Sequence, residues 1–278
     1  MIVCDFSKVE PMHGECRITL SEKIVGALGL FRGQRLFGFF EEGSRRLILS
    51  PMRLNPSVSL FRIYLEDIRG SLAQITEIIK RRNVNILNSG AFTFGNIWVS
   101  EFILDLKGLD ATPDEIRQEI EELGAFVTSN EITEYFPRAF DLQSKFEIIR
   151  DEKGKGQITI PSEDLTRAGF STNPPAYAVL SAWTSVRALF VDFYSPEAKL
   201  VRVSARIRDV PGALHSLASL LRTQIDLQAI DEQHQDEASG EWTGFGILIA
   251  GRVSQLAEKA MNVASILHFD SEPLGWKE

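Results

Sequence analysis

"DVPGALHSLASLL", residues 209–221, opens on an acid, a Pro-Gly pair and a leucine, and continues with Leu214, Leu217, Leu220 and Leu221 at helical spacing. That spacing predicts a helix with Gly212 at its mouth and a leucine stripe packed on a sheet. The same pattern stands earlier in the chain. "DIRGSLAQITEII" (67–79) matches it position for position, with Asp67 on Asp209, Ile68 on Val210, Gly70 on Gly212 and Leu72 on Leu214. Its stripe is Leu72, Ile75, Ile78 and Ile79. A helix start that occurs twice marks a module that occurs twice, so the fold turns on what surrounds both copies.

The surroundings repeat as well. Each helix leads into an alternating segment, "NVNILN" or "QIDLQAI", and "IWVSEFILDL" (97–106) matches "EWTGFGILIA" (241–250) with Trp98 on Trp242. A second repeat precedes these: "RITLSEKIVGALGL" (17–30) resembles "QITIPSEDLTRAGF" (157–170), with Thr19 on Thr159 and Gly29 on Gly169. The pairs Gly29/Gly169, Gly70/Gly212 and Trp98/Trp242 are 140, 142 and 144 residues apart. A slowly drifting offset is what short insertions in a duplicated pair of modules leave behind. The chain therefore reads as A-B-A′-B′, over 1–55, 58–137, 138–198 and 199–278. Proline-bearing stretches, "SPMRLNPSVS" (50–59), "EYFPRAFDLQSK" (134–145) and "YSPEAK" (194–199), punctuate it.

Bulk properties set the class. With 278 residues, 44% of them hydrophobic and 24% charged, the chain suits a soluble protein of several small cores. A net charge of −8 argues against unspecific binding to nucleic acid or anionic membrane through the whole surface. Cys4 and Cys16 have no zinc-site spacing and make no disulfide framework; reduced thiols are expected, with a lone bridge as the other reading. The start, "MIVCDFSKVEPMHGE", lacks the features of a signal peptide, and no apolar run approaches the ~20 residues of a membrane span. A cytoplasmic location is expected.

Each B module orders its elements alike: a strand ("SLFRIYLE", "LVRVSARI"), a Gly turn, a helix, two strands ("WVSEFILDL" and "TGFGILIAG" being the second of each pair), a helix and a last strand. In "ATPDEIRQEIEELG", Thr112 is the expected N-cap, Pro113 the first helical residue, Glu115 the other half of a capping box and Gly124 the stop. In "VSQLAEKAMNVASIL" Ser254 is the expected cap. The order strand-helix-strand-strand-helix-strand is the ferredoxin-like one, which gives an α+β fold class.

With D-x-x-G-x-L between strand and helix, both B modules resemble the ACT domain family; "DVPGAL" is close to its pattern, and "DIRGSL" lacks the proline. The resemblance implies regulatory modules that pair side by side and bind amino acids or other small effectors between them. The family's polar contact before the turn falls on Asp67 and Asp209, and its second-strand contact on Asn85 and Asp226. Many effector-binding members carry asparagine at these positions, and the three acids here shift the expected ligand away from a simple anion. Gly70 and Gly212 would let a ligand approach the backbone, where first-turn amides and the helix dipole suit a carboxylate. The plainer reading is that Asp caps a helix and Gly makes a turn.

The A modules read as a strand ("CRITL"), a short helix ("EKIVGALGL"), a tight turn and a hairpin ending in "LILSP". From Arg17 to Pro51 the first copy resembles the AbrB-like swapped-hairpin family. The second resembles it in "GKGQITIPSEDLTRAGF" (154–170), and its hairpin half keeps only strand alternation. The resemblance implies two hairpin units interlocked in one barrel, here within one chain, and DNA binding through a basic face. Arg17, Lys23, Arg32, Arg35, Arg45 and Arg46 are the candidate contacts. The second copy offers Lys153, Lys155, Arg167 and Arg187 among Glu152, Glu163 and Asp164. A barrel serving assembly alone is the competing reading.

No nucleophile elbow, phosphate loop or dinucleotide fingerprint is present, so no enzyme and no cofactor is expected. "HQDEASGE" (234–241) gathers a histidine and acids, yet reads as a solvated loop rather than a metal site. His215 reads as a rim or core histidine. The expected protein is a homodimeric, non-enzymatic regulator with an amino-acid-like effector and DNA as output. The alternative is an adaptor for a protein partner.

Overall fold

The structure is a computed structural model, and it describes all residues except 1, 42–43, 53–56, 108–111, 132–143, 148, 151–154, 168, 171–174, 237 and 278. The side chains of 41, 94, 130–131, 144–147, 149–150 and 233–236 are also outside it. Two compact units form: Met1–Pro51 with Leu142–Glu278, and Met52–Asp141.

Along the chain come β1 (Ile2–Met12), β2 (Glu15–Leu20), α1 (Glu22–Ala27), β3 (Arg35–Glu41) and β4 (Arg46–Ser50). Next are β5 (Val58–Glu66), α2 (Ser71–Arg81), β6 (Asn85–Phe94), β7 (Ile97–Asp105), α3 (Pro113–Glu121) and β8 (Phe126–Glu131). Then follow β9 (Ser144–Glu147), β10 (Ile149–Arg150), β11 (Gly156–Pro161), α4 (Ser162–Arg167), β12 (Tyr177–Trp183) and β13 (Ala188–Tyr194). The chain ends with β14 (Leu200–Arg208), α5 (Ala213–Leu221), β15 (Ile225–Asp236), β16 (Ser239–Leu248), α6 (Val253–Ala260) and β17 (Ile266–Pro273). The whole is a mixed α+β structure of antiparallel sheets. Among the described residues no helix is long and apolar enough to cross a membrane.

Strands of the first and third segments interleave in one sheet, in the order β10-β11-β2-β1-β12-β13-β4-β3-β9. The two ends of that order, β9 and β10, are separated by a single residue, so the sheet curls back on itself as a barrel. Its registers are self-complementary. Ile18 lies opposite Ile158, flanked by Arg17/Thr159 and Thr19/Gln157. Ile48 lies opposite Phe190, flanked by Leu47/Val191 and Leu49/Leu189. Around Ile18 the residues matched by the sequence repeat thus face one another, and the hairpin strands β4 and β13 pair in the same self-complementary way, which is the pairing a two-fold axis imposes. Neither half could bury its apolar side alone: Ile18, Leu20, Ile24, Leu49, Ile158 and Leu189 share one core.

Each B segment folds as βαββαβ with its strands ordered second-third-first-fourth, β6-β7-β5-β8 and β15-β16-β14-β17. The helices cover one face; Ile75, Ile79, Ile116 and Ile120 pack on Phe61 and Phe102 in the first. In the second, the other face meets the barrel, where Ala229 and Phe245 pack with Cys4, Val179 and Leu200. Lys23 of α1 forms an ion pair there with Asp231 of β15, whose side chain is only 3% exposed.

Four sequence expectations change. A strand, β1, precedes the expected first one. Its Val3 and Val9 enter the barrel core while Cys4 enters the contact with the second module, and only the short run Ser7–Glu10 alternates buried with exposed residues. "HQDEASGE" is mostly ladder rather than loop, because β15 runs to Asp236 and β16 starts at Ser239. Helix α6 is capped two residues earlier than expected: Arg252 is the N-cap residue, with no side-chain bond, and Ser254 lies inside. Leu72 and Leu214 are 53% and 41% exposed, so the core stripe of each helix begins one turn later, at Ile75 and Leu217.

Candidate effector sites

The two helix mouths are built alike. Gly70 and Gly212 are the N-cap residues of α2 and α5, with φ of +104° and +86° and no side-chain cap. In each, the residue after the strand is tied to the loop or turn ahead of the neighbouring strand: the Asp67 N–H donates to the Asn96 carbonyl and the Asp209 N–H to the Ala238 carbonyl, both at 2.8 Å. A tight turn then closes, with the Ser71 N–H on the Ile68 carbonyl and the Ala213 N–H on the Val210 carbonyl. The left-handed φ needs glycine, yet a Cβ at either position would meet nothing within 4 Å. The glycine is there for the turn, and the space ahead of the helix is open.

At the first mouth a cavity of about 540 Å³ is lined by Asp67, Ile68, Gly70, Ser71, Leu72, Ala73, Thr76 and Trp98. Exposed apolar side chains, Ile68 and Leu72, stand beside the Asp67 carboxylate. The second mouth repeats this with Val210 and Leu214 exposed, and His215 in place of Ala73. His215 is exposed, 3.3 Å from Ser219 Oγ. Trp98 and its counterpart Trp242 entered the sequence reading only as repeat markers. Trp98 lines the first cavity, and the indole N–H of Trp242 is buried with no acceptor among the described residues.

The second-strand contacts do not join the mouths of their own modules. Asn85 and Val58 both lie opposite Asp105, level with the start of β5, whereas Asp67 follows its end. Asp226 and Leu200 share Ile247 in the same way, while Asp209 follows the end of β14. Each pair is separated by the full strand, roughly 30 Å at about 3.3 Å per residue. Asp226 is instead held by Gln228, whose Nε2 donates to Asp226 Oδ2 at 2.9 Å and whose Oε1 accepts from the Tyr194 hydroxyl at 3.2 Å.

The six basic candidates divide. Lys23 pairs with Asp231, and Arg46 Nε donates to Asp192 Oδ1 at 2.6 Å. Arg45 sits 5.3 Å above the Phe170 ring. Arg17 is half-buried on β2, and Arg32 and Arg35 are exposed. Among the described residues, no group of His, Cys, Asp and Glu is arranged to hold a metal.

No family model and no curated protein matches the chain. Solved structures that resemble it include an unknown protein from Galdieria sulphuraria at 8% identity and a TM-score of 0.32, covering 78% of this chain and 98% of that one. A putative glycine cleavage system transcriptional repressor, 12% identical, covers 78% and 98% with a TM-score of 0.26. The aspartate kinase of Clostridium acetobutylicum, 13% identical, covers 71% and 34% with a TM-score of 0.21. Scores this low carry no argument, and the fold rests on strand order and register.

Proposed function

We propose that the chain is a non-enzymatic regulator. Its ACT-like modules sense an amino acid or similar small metabolite, and its AbrB-like barrel passes the signal to DNA. The observation that carries this reading is the helix mouth, made twice from the same turn: a glycine in left-handed conformation, an acid before it, and two exposed apolar side chains around open space. First-turn amides supply donors for a carboxylate, the acid an acceptor for an ammonium, and the apolar rim a seat for a side chain. Asn85 and Asp226 lie at the far end of their own sheets. They complete a mouth only when a second module runs alongside in the opposite direction, which makes pairing of modules, in a homodimer, part of the proposal.

The test is a thermal-shift screen of the full chain against the twenty amino acids. A binder at a hundred times its Kd adds about 2.7 kcal/mol. Leu72→Arg and Leu214→Arg change exposed rim positions and are expected to remove the shift. A shift that survives both would place the ligand elsewhere.

One observation favours the adaptor reading instead. Lys23 and Arg46 are ion-paired within the chain and Arg45, though exposed, lies over the Phe170 ring, so three of the six candidate cations are already partly compensated. Mobility-shift titrations in rising salt, with and without effector, separate the two. Specific binding weakened by Arg32→Glu and Arg35→Glu supports DNA as the partner, and its absence supports a protein.

A further inference from the structure

The face of the first module's sheet turned away from α2 and α3 carries a cavity of about 740 Å³. Its walls follow from the register. Tyr64 of β5 and Phe92 of β6 both lie opposite Val99 of β7, so the three side chains rise in one row on one face. Trp98, the residue before Val99, belongs to the helix-side core, which puts the row on the other side of the sheet. Tyr64 is braced by Phe126 of β8, with ring centroids 5.9 Å apart, while Phe92 is 63% exposed. One row further along, Arg62 faces Glu101 and Glu101 faces Gly90. Gly90 has no left-handed φ, and a Cβ there would meet nothing within 4 Å. Neither a turn nor crowding calls for this glycine, and it leaves a notch beside Phe92 of the kind that marks close approach by a ligand.

We infer that this trough binds an uncharged, planar aromatic molecule, held between the Tyr64 and Phe92 rings over Val99 and Gly90. Strands about 4.8 Å apart place the backbones of the two walls roughly 10 Å from each other. A planar ring in contact on both faces takes about 7 Å of that, at ~3.5 Å per contact. One flat ring system fits, and a puckered one lies flush on neither wall. Charge sets the rest of the ligand's chemistry. The two charged side chains at the cavity are closed on each other, Arg62 Nε donating to Glu101 Oε1 at 2.7 Å, so together they present no net charge. On a chain of net charge −8 an anion is repelled, and an uncharged ring is what the trough suits.

The fold does not require these residues. The repeat matches Ile97 with Glu241, Val99 with Thr243 and Glu101 with Phe245, so the second module is polar where the first lines its trough with apolar side chains. Its Phe245 packs on the barrel instead. The trough is also independent of the helix mouth, whose cavity Trp98 lines from the opposite face of the sheet.

The experiment is calorimetric titration of the full chain with 2-naphthol, with decahydro-2-naphthol as the puckered match and 2-naphthoate as the anionic one. 2-Naphthol is expected to bind saturably, with each match weaker by about tenfold, a loss in the range of one stacked ring. Gly90→Leu should fill the notch and abolish binding, and Phe92→Ala should weaken it about tenfold by removing one wall. Both positions are exposed, so the melting temperature of each variant should hold. Leu72→Arg, at the helix mouth, should leave the affinity within twofold. No saturable binding, equal binding of 2-naphthol and either match, or wild-type affinity in Gly90→Leu would each overturn the proposal. Light scattering adds one more outcome: a dimer that Phe92→Ala dissociates would overturn it as well, because the face would then belong to a second copy of the chain.

Discussion

Gly212 and Gly244 stand in one module and resist substitution for opposite reasons. Gly212 has a left-handed φ and open space around its missing Cβ; Gly244 is not left-handed, but a Cβ there would overlap the Trp242 ring. Gly212→Ala should therefore destabilise by about 1–2 kcal/mol through backbone conformation alone, leaving tryptophan emission unchanged. Gly244→Ala must push Trp242 aside, so urea denaturation should show the larger loss and the native emission should shift. A native spectrum unchanged in Gly244→Ala would mean that the ring does not lie there. Chemistry at Cys4 follows from burial too, which pushes its thiol up to about 11. Iodoacetamide at about pH 8 should leave it unlabelled until urea is added. Because the folded value is raised, the associated stability is fully present below the unfolded thiol range, about 8.5, and is lost as pH rises from there toward 11. At this scale the sequence was half legible. Gly70 and Gly212 could be singled out because a turn demands glycine locally, whereas Gly244 could not, since its constraint comes from a ring placed by packing.

Helices α3 and α6 occupy the same place in their modules and start differently. In α3 the Thr112 hydroxyl accepts from the Glu115 N–H, while Glu115 Oε2 accepts from the Thr112 N–H at 2.7 Å, a complete capping box. In α6 Arg252 caps with its backbone alone. Thr112→Ala should cost about 1 kcal/mol, seen as a lower midpoint in urea. An unchanged midpoint would show that the box contributes nothing to the fold. The Thr112 backbone N–H, and then its hydroxyl, hold the Glu115 carboxyl below its ordinary range. The box therefore contributes above the ordinary glutamate value, about 4.3, and fades on further acidification. The first box was legible because every part of it lies within four residues. The start of α6 was not, because nothing local fixes it: Val253, Leu256 and Ala260 are placed by the core they enter. Leu72 and Leu214 mislead in the same way, since periodicity continues past the point where the sheet ends.

At the scale of the molecule, the drift of 140 to 144 residues in the repeat and the strand pairing are two expressions of one symmetry. The repeat was legible from matched residues far apart in sequence. The interleaving was not, because β2 hydrogen-bonds to β11 and β4 to β13 with partners more than a hundred residues away, and no local signal distinguishes that pairing from a hairpin closed on itself. The arrangement carries a consequence for fragments. Residues 142–278 alone retain β11, β12 and β13 but lose β1, β2 and β4, which stand between them and beside them. Ile158, Ile160, Leu180, Leu189 and Val191 would then lack the opposing half of their core. Since the register around Ile158 is self-complementary, a second copy of the fragment can take the place of the missing half, Ile158 against Ile158. Light scattering coupled to gel filtration should find this fragment as a dimer or as aggregate, with a dimer losing structure on dilution. Residues 52–141, which enclose the core of Ile75, Ile116 and Phe102 by themselves, should stay folded on dilution, whether or not two copies pair. A stable, folded monomer of 142–278 would sink the interleaved barrel, because half a closed sheet with its apolar face open has no means of holding itself together.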